Sequence, residues 1–154
     1  MIVDMYITLM SVILAGIMNM LFTKTKFYSK YRYPIDGGKK IKDGQYIFGE
    51  NKTWIGFFSM IFFNALAQII WGVLCLNIDF LKGKNYIYTS VENNFFNNAI
   101  IGAVLGLAYV VFELPNSFIK RRLKIKPGKT AKGIKGIIFF LIDQIDSIIG
   151  VTLV

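Results

Sequence analysis

The 154-residue sequence contains no histidine. That excludes His-based general acid–base catalysis, Ser-His triads and His-ligated zinc. It has a single cysteine, Cys75, inside an apolar run. No intrachain disulfide or cysteine cluster can form, and Cys75 reads as a small buried residue. Acid is also scarce: nine Asp and Glu stand against eighteen Lys and Arg, for a formal net charge of +9. Polar chemistry must come from Asp, Glu, Lys, Arg, Ser, Thr, Asn and backbone groups. That menu suits metal-assisted phosphate chemistry.

What is abundant is apolar side chain. Hydrophobic residues make up 55% of the sequence, and mean hydropathy is +0.52. A soluble domain of this size could not hide so much, so the sequence reads as an integral membrane protein. The length suits one domain over residues 1–154, undivided by any internal repeat. In a soluble protein the positive charge would suggest nucleic acid. In a membrane protein it points to cytoplasmic loops or to loops that hold phosphates, and nucleic acid is not an expected partner.

Four apolar stretches stand out. They run from about Val3 to Phe22, Trp54 to Leu76, Phe95 to Leu114 and Ile134 to Val154. Each approaches the length needed for a hydrocarbon core about 30 Å thick. The first has no basic flank before it and no small-residue cleavage site after it, so it reads as a retained helix. Pro115 is expected to end the third, because proline disfavours helix at the residue before it. Sixteen of the eighteen basic residues fall in the first and third loops, and only Lys82 and Lys84 in the second. The expectation is an all-α integral membrane protein with about four transmembrane helices, two basic cytoplasmic loops and both termini outside. The second loop carries no expected chemistry.

Three stretches hold candidate chemistry. In LIDQID, Asp143 and Asp146 are spaced to share one helix face. A mid-membrane carboxylate costs about 2.5–3.5 kcal/mol. Lys135 lies about 12 Å of helical rise away, so the pair is expected below the rim of the bilayer. Snorkelling to a helix end is one reading; gripping a divalent cation is the better one. With no His or Cys cluster, hard oxygen ligands favour Mg²⁺. In FELPNSFIKRRLKIKPGK, Glu113 ends the third apolar stretch, Ser117 can cap the segment that follows, and Lys120, Arg121 and Arg122 come next. A juxtamembrane basic cluster on anionic lipid is the plain reading. Acids for metal beside bases for phosphate is the functional one. In PIDGGKKIKDGQYIFGENKT, glycines permit close approach of backbone N–H groups to an anion, Lys52 supplies a charge, and Thr53 starts a helix. The spacing is two residues longer than a Walker A loop, so a P-loop fold is rejected. Gly102 and Gly106, four apart, read as helix packing.

Together these stretches resemble the CDP-archaeol synthase family, integral-membrane cytidylyltransferases related to the phosphatidate cytidylyltransferases. The likeness lies in Pro34–Gly56, in SFIKRRLKIKPG from Ser117 to Gly128, and in LIDQIDSIIG from Leu141 to Gly150. Two features depart from the family pattern. Phe112-Glu113 stands where Gly-Asp is usual, and four helices stand where a fifth is expected. The resemblance implies transfer of CMP from CTP to a membrane lipid phosphate, with release of pyrophosphate. It implies that Glu113, Asp143 and Asp146 hold one or two Mg²⁺ ions and that Lys120 and Arg121 act on the phosphates. It also implies that Lys52 and Thr53, with Gly44, Gly49 and Ser117, bind CTP, while Asp36 and Asp43 orient that loop. Arg122 and Lys124 are expected to meet headgroups. Activity on a diacyl lipid, or a non-enzymatic cation-conducting or scaffold role, are the alternatives. A homo-oligomer is compatible with the sequence.

Overall fold

A computed structural model describes residues 2–128 and 134–153; the side chains at 134, 135, 138, 140, 143, 144 and 146–148 lie outside the described set. The elements are helices α1 (Ile2–Phe22), α2 (Lys26–Lys30) and α3 (Trp54–Asn77), a 3₁₀ turn (Tyr86–Thr89), and helices α4 (Phe95–Arg122) and α5 (Ile134–Thr152). Among the described residues the only extended pairings are two isolated antiparallel bridges, Pro34 with Thr53 and Lys40 with Tyr46. The chain is an all-α membrane protein. Among the described residues, α1, α3 and α4 are long and apolar enough to cross a bilayer. The fourth apolar stretch is helical over Ile134–Thr152 as α5, and part of its side-chain set lies outside the described residues.

The chain divides into two compact units. Unit 1 comprises Met1–Lys24 and Ser59–Gly106. Here α1 runs antiparallel to α3, tied near one end by Ser59 Oγ donating to Asn19 Oδ1 at 2.6 Å and near the other by Trp71 Nε1 donating to the Ile7 carbonyl at 2.8 Å. As their spacing predicts, Gly102 and Gly106 let α4 press on α3. A Cβ on Gly102 would lie 2.5 Å from the Asn64 carbonyl oxygen, and one on Gly106 would lie 2.8 Å from the Ile61 Cα. The second loop is built around Tyr88. Gln68 Nε2 donates to its hydroxyl at 3.1 Å, and the hydroxyl donates to Asn98 Oδ1 at 2.8 Å. Asn98 Nδ2 passes the chain to Asn93 Oδ1, and Asn93 Nδ2 ends it on the Gly72 carbonyl. Burial pushes the Tyr88 hydroxyl up to about 12, so it remains a neutral donor.

Unit 2 comprises Thr25–Phe58 and Leu107–Val154. It contains α2, which the apolar pattern does not announce. Thr25 caps it, accepting from the Tyr28 N–H at 3.2 Å. Tyr28 is buried, and its hydroxyl shares a 2.8 Å hydrogen bond with Thr53 Oγ1. The α4 helix corrects two expectations. It does not stop before Pro115 but runs on to Arg122. Ser117 accordingly caps nothing: its hydroxyl donates back one turn to the Glu113 carbonyl at 3.1 Å. Proline removes one intrahelical bond, and tertiary packing can tolerate that loss; a serine one turn on from a carbonyl can satisfy itself within the helix. The helix ends on Lys124 at φ 59°, with Lys124 N–H bonded to the Arg121 carbonyl and Ile125 N–H to the Lys120 carbonyl, a Schellman closure. The unusual Phe112 is accommodated by Gly150 of α5. Any Cβ there would fall 2.6 Å from the Phe112 ring.

Candidate active site

The glycine-rich loop of unit 2 is organised from inside by a carboxylate. Asp36 is buried. Its Oδ1 accepts from Gly38 N–H at 3.0 Å, and its Oδ2 accepts from Phe48 N–H at 2.9 Å and Gly49 N–H at 3.0 Å. Burial acts to raise the Asp36 pKa; the N–H bonds from Phe48, Gly49 and Gly38 outweigh it and hold the carboxyl below its usual value. These N–H groups, expected to face a bound anion, thus already grip the chain's own anion. Asp36 thus ties residues 38, 48 and 49 together by filling their nest of N–H groups.

Three further contacts fix the loop. Residues 40–46 form a small hairpin in which Asp43 Oδ1 accepts from Gln45 N–H at 2.9 Å and Gly44 takes a positive φ. Gly44 is therefore a turn residue at an exposed tip. Arg122 clamps this hairpin to the end of α4. Its Nη1 donates to Asp43 Oδ2 at 2.7 Å, and its Nη2 donates to the Tyr46 carbonyl. Its guanidinium also lies 4.9 Å from the Phe118 ring centroid. Arg122 is thus bound to protein, not turned to headgroups as its sequence context suggested. At the exit, Thr53 is the N-cap of α3: its buried hydroxyl accepts from Gly56 N–H at 3.2 Å and meets Tyr28. It starts the helix as expected, with its side chain facing into the protein.

What remains open is a cavity of about 270 Å³ between this loop and α4. Lys52, Glu113, Ser117, Lys120 and Arg121 line it, so the structure brings together five of the expected site residues. Sequence reasoning missed Phe48, Asn51, Asn116 and Pro127 on its wall. Asn116 sits inside the LPNSF run and could have been found there. Lys52 Nζ forms an ion pair with the Glu113 carboxylate across the cavity wall. Lys120 Nζ lies 5.7 Å from the Phe139 ring centroid. Arg121 is the unusual member. Only 6% of it is exposed, and its Nε and Nη1 have no hydrogen-bond partner among the described residues. A buried guanidinium ordinarily has its donors paired. Gly49, at φ 100°, sits against this wall: a Cβ there would press on Pro127 Cγ at 3.0 Å and touch Arg121 Cδ at 3.5 Å.

Among the described residues no group of three or more Asp, Glu, Cys or His is gathered for a metal. Glu113 is a carboxylate on the cavity wall, beside the neutral oxygens of Asn51, Asn116 and Ser117. This is hard-oxygen chemistry of the kind Mg²⁺ takes. Asp143 and Asp146 occupy helical positions in α5; their side chains lie outside the described residues.

Comparison with known proteins follows the same line. A family model described as CarS-like, CDP-archaeol synthase, matches residues 2–154. The CDP-archaeol synthase of Thermofilum pendens is 31% identical over 118 residues, covering 77% of this chain and 44% of that protein. The Pyrococcus furiosus protein of the same name is 35% identical over 101 residues, with 66% and 52% covered. That of Methanosarcina mazei is 33% identical over 123 residues, with 76% and 61% covered. The chain spans about half the length of the curated relatives it matches. A solved structure described as an intramembrane enzyme for archaeal membrane lipids biosynthesis has the same fold, with a TM-score of 0.66 at 22% identity, over 99% of this chain and 76% of that one.

Proposed function

Since the chain belongs to the CDP-archaeol synthase family, we propose that it transfers CMP from CTP to an archaeol-type lipid phosphate, giving a CDP-lipid and pyrophosphate. The observation that carries this reading is Arg121, a buried guanidinium with unpaired donors on a cavity that Lys52 and Lys120 also line. Such a wall suits a polyanion. Guanidinium donors meet phosphate oxygens two at a time, and the low local dielectric strengthens the contact.

The chemistry asks little of a base. A lipid phosphate monoester is already anionic near neutral pH. One of its oxygens attacks the α-phosphorus of CTP while the bond to the β-phosphate oxygen breaks, and pyrophosphate leaves with that electron pair. A chain without histidine can perform this by positioning and charge neutralisation. Arg121 and Lys120 hold phosphate oxygens at the transferring group. Lys52 holds the triphosphate. Thr53, Gly44, Gly49, Asp36 and Asp43 keep the loop in shape, and Ser117 lines the pocket. Glu113, Asp143 and Asp146 are the oxygen donors we assign to Mg²⁺, which when bound neutralises triphosphate charge. We read α1, α3, α4 and α5 as four spans with the two basic loops in the cytoplasm, where CTP is found, and both termini outside.

The test is pyrophosphate release by the purified chain with CTP, Mg²⁺ and a panel of lipid phosphates. Release that needs both CTP and an isoprenoid ether lipid phosphate is expected. Inactivity across the panel would overturn the reading, and a preference for diacyl phosphatidate would move the substrate to ester lipids.

A further inference from the structure

The strongest feature outside the cavity is an aromatic and basic face on unit 2. Phe27 on α2 and Tyr31 at its C-cap are four residues apart, pair at 4.9 Å between ring centroids, and are 59% and 52% exposed. At the start of α3, Trp54 and Phe58 stack at 5.9 Å and are 43% and 61% exposed. These rings turn outward while Tyr28, beside Phe27, is buried and bonded to Thr53 at the α3 N-terminus. That bond fastens α2 to the first turn of α3, so the two aromatic pairs belong to one rigid piece. Lys26 and Lys30 flank the rings of α2, and Lys30 Nζ stands 5.3 Å from the Tyr31 centroid. From Lys24 to Tyr33 the sequence has four basic residues and no acidic one.

The chain path sets the depth of this face. Three residues separate the end of α1 at Phe22 from Lys26, a reach of roughly 14 Å at most. Trp54 opens α3 itself. Both α1 and α3 are candidate spans, so α2 lies near the level where hydrocarbon gives way to headgroups. Rings with an apolar body and a polar tip, beside long basic side chains, are what that layer accommodates. A basic stretch with no acid within it fits an anionic leaflet, whose surface potential attracts each added basic residue.

We propose that α2 and the first turn of α3 form an interfacial anchor: Phe27, Tyr31, Trp54 and Phe58 enter the headgroup boundary of an anionic lipid surface, with Lys26 and Lys30 on its phosphates. Its consequence for catalysis rests on the function proposed above. Because α2 is bonded to the residue that follows Lys52, the anchor fixes the height of the cavity against the plane of the lipid phosphates.

The test needs neither CTP nor turnover. Nitroxide labels are placed by Phe27→Cys and, separately, Ser29→Cys in a Cys75→Ala chain. The chain is reconstituted in phosphatidylcholine vesicles with or without phosphatidylglycerol. The label at 27 is expected to collide with oxygen more than with a water-soluble nickel chelate, and the label at 29 to show the reverse. Phosphatidylglycerol is expected to deepen the label at 27, and Lys26→Gln with Lys30→Gln to remove that deepening. Equal water exposure at both positions, or the same depth in both lipids, would overturn the anchor. A second reading leaves α2 native: lipids brominated near the headgroup are expected to quench the emission that Trp54→Phe removes, and no such quenching would overturn it as well.

Discussion

The two units bury polar side chains of different kinds. Those of unit 1, including Ser11, Asn64, Gln68, Asn85 and Asn98, are neutral; among the described residues the buried charged side chains, Asp36 and Arg121, are both in unit 2. The difference follows from what each group can do alone. An amide donates and accepts, so amides can close chains on one another, as Gln68, Tyr88, Asn98 and Asn93 do. A guanidinium only donates. It needs acceptors from outside its own kind, and Arg121 has unpaired donors where a cavity opens. Asn64 shows the limit of the rule, since its amide has no partner among the described residues and is held by close packing against Gly102 and Gly106. Neutral burial builds a bundle; charged burial with an open side builds a place for an ion.

The largest effect should come from Arg121→Met. In the role proposed for Arg121, losing a donor to the transferring phosphate costs about a hundredfold or more in turnover. The same change removes a buried charge whose donors are only partly paired, so the melting temperature in detergent should hold or rise. Pyrophosphate release and a thermal melt on the same sample check both halves. A variant that melts early and keeps its turnover would place Arg121 with the structural residues and erase the contrast between the units.

Asp36→Asn should come next. Asn offers one oxygen, so its amide N–H₂ must face either Gly38 N–H or the Phe48 and Gly49 N–H pair. The expected loss is about 3 kcal/mol, in line with hydrogen bonds to a charged group. The pH dependence has a definite sign. The folded-state pKa of Asp36 is lowered, so its contribution is complete above the ordinary value of about 4 and disappears as pH falls through the lowered folded value. The native chain should therefore lose stability on acidification over that window, and Asp36→Asn should flatten this part of the profile. An unchanged profile would remove Asp36 from the loop's support.

These two residues also show what the sequence could disclose. The long helices were legible because an apolar run of twenty residues has one stable form in lipid. The cavity wall was legible in part: Lys52, Glu113, Ser117, Lys120 and Arg121 were all named. Roles were less legible than places. Nothing in PIDGG reveals that Asp36 itself fills the nest of N–H groups, because that depends on a fold-back of residues 48 and 49. Arg121 and Arg122 are neighbours of one type, yet one faces the cavity and the other clamps Asp43; helix phase decides, and the extension of α4 through Pro115 set the phase. The five residues of α2 are too few to show periodicity; Thr25 caps them, and their buried residue Tyr28 is held by the distant partner Thr53.

Unit 1 should answer to a different change. Gly102→Ala would set a methyl group 2.5 Å from the Asn64 carbonyl oxygen, a backbone atom that cannot swing aside. Separation of α3 and α4 should cost about 2 kcal/mol, typical of overpacking. Because this is a packing defect, surviving folded protein should keep its CTP dependence. The contrast with Arg121→Met is the useful result: one variant loses stability and keeps chemistry, the other does the opposite. Equal losses of both in both variants would mean that the two units do not divide these tasks.

The smallest expected effect is a gain. Lys124 closes α4 in the left-handed region at φ 59°, where a side chain costs about 1 kcal/mol relative to glycine. Its backbone N–H bonds to the Arg121 carbonyl, and the next N–H bonds to Lys120. The turn therefore fixes the end of the helix that carries two of the three cavity cations, Lys120 and Arg121. Lys124→Gly keeps those bonds and relieves the Cβ contact, so the melting temperature should rise by a few degrees with turnover unchanged. A fall in turnover without a fall in stability would show that the Lys124 side chain, and not only its backbone, serves the cavity side of unit 2.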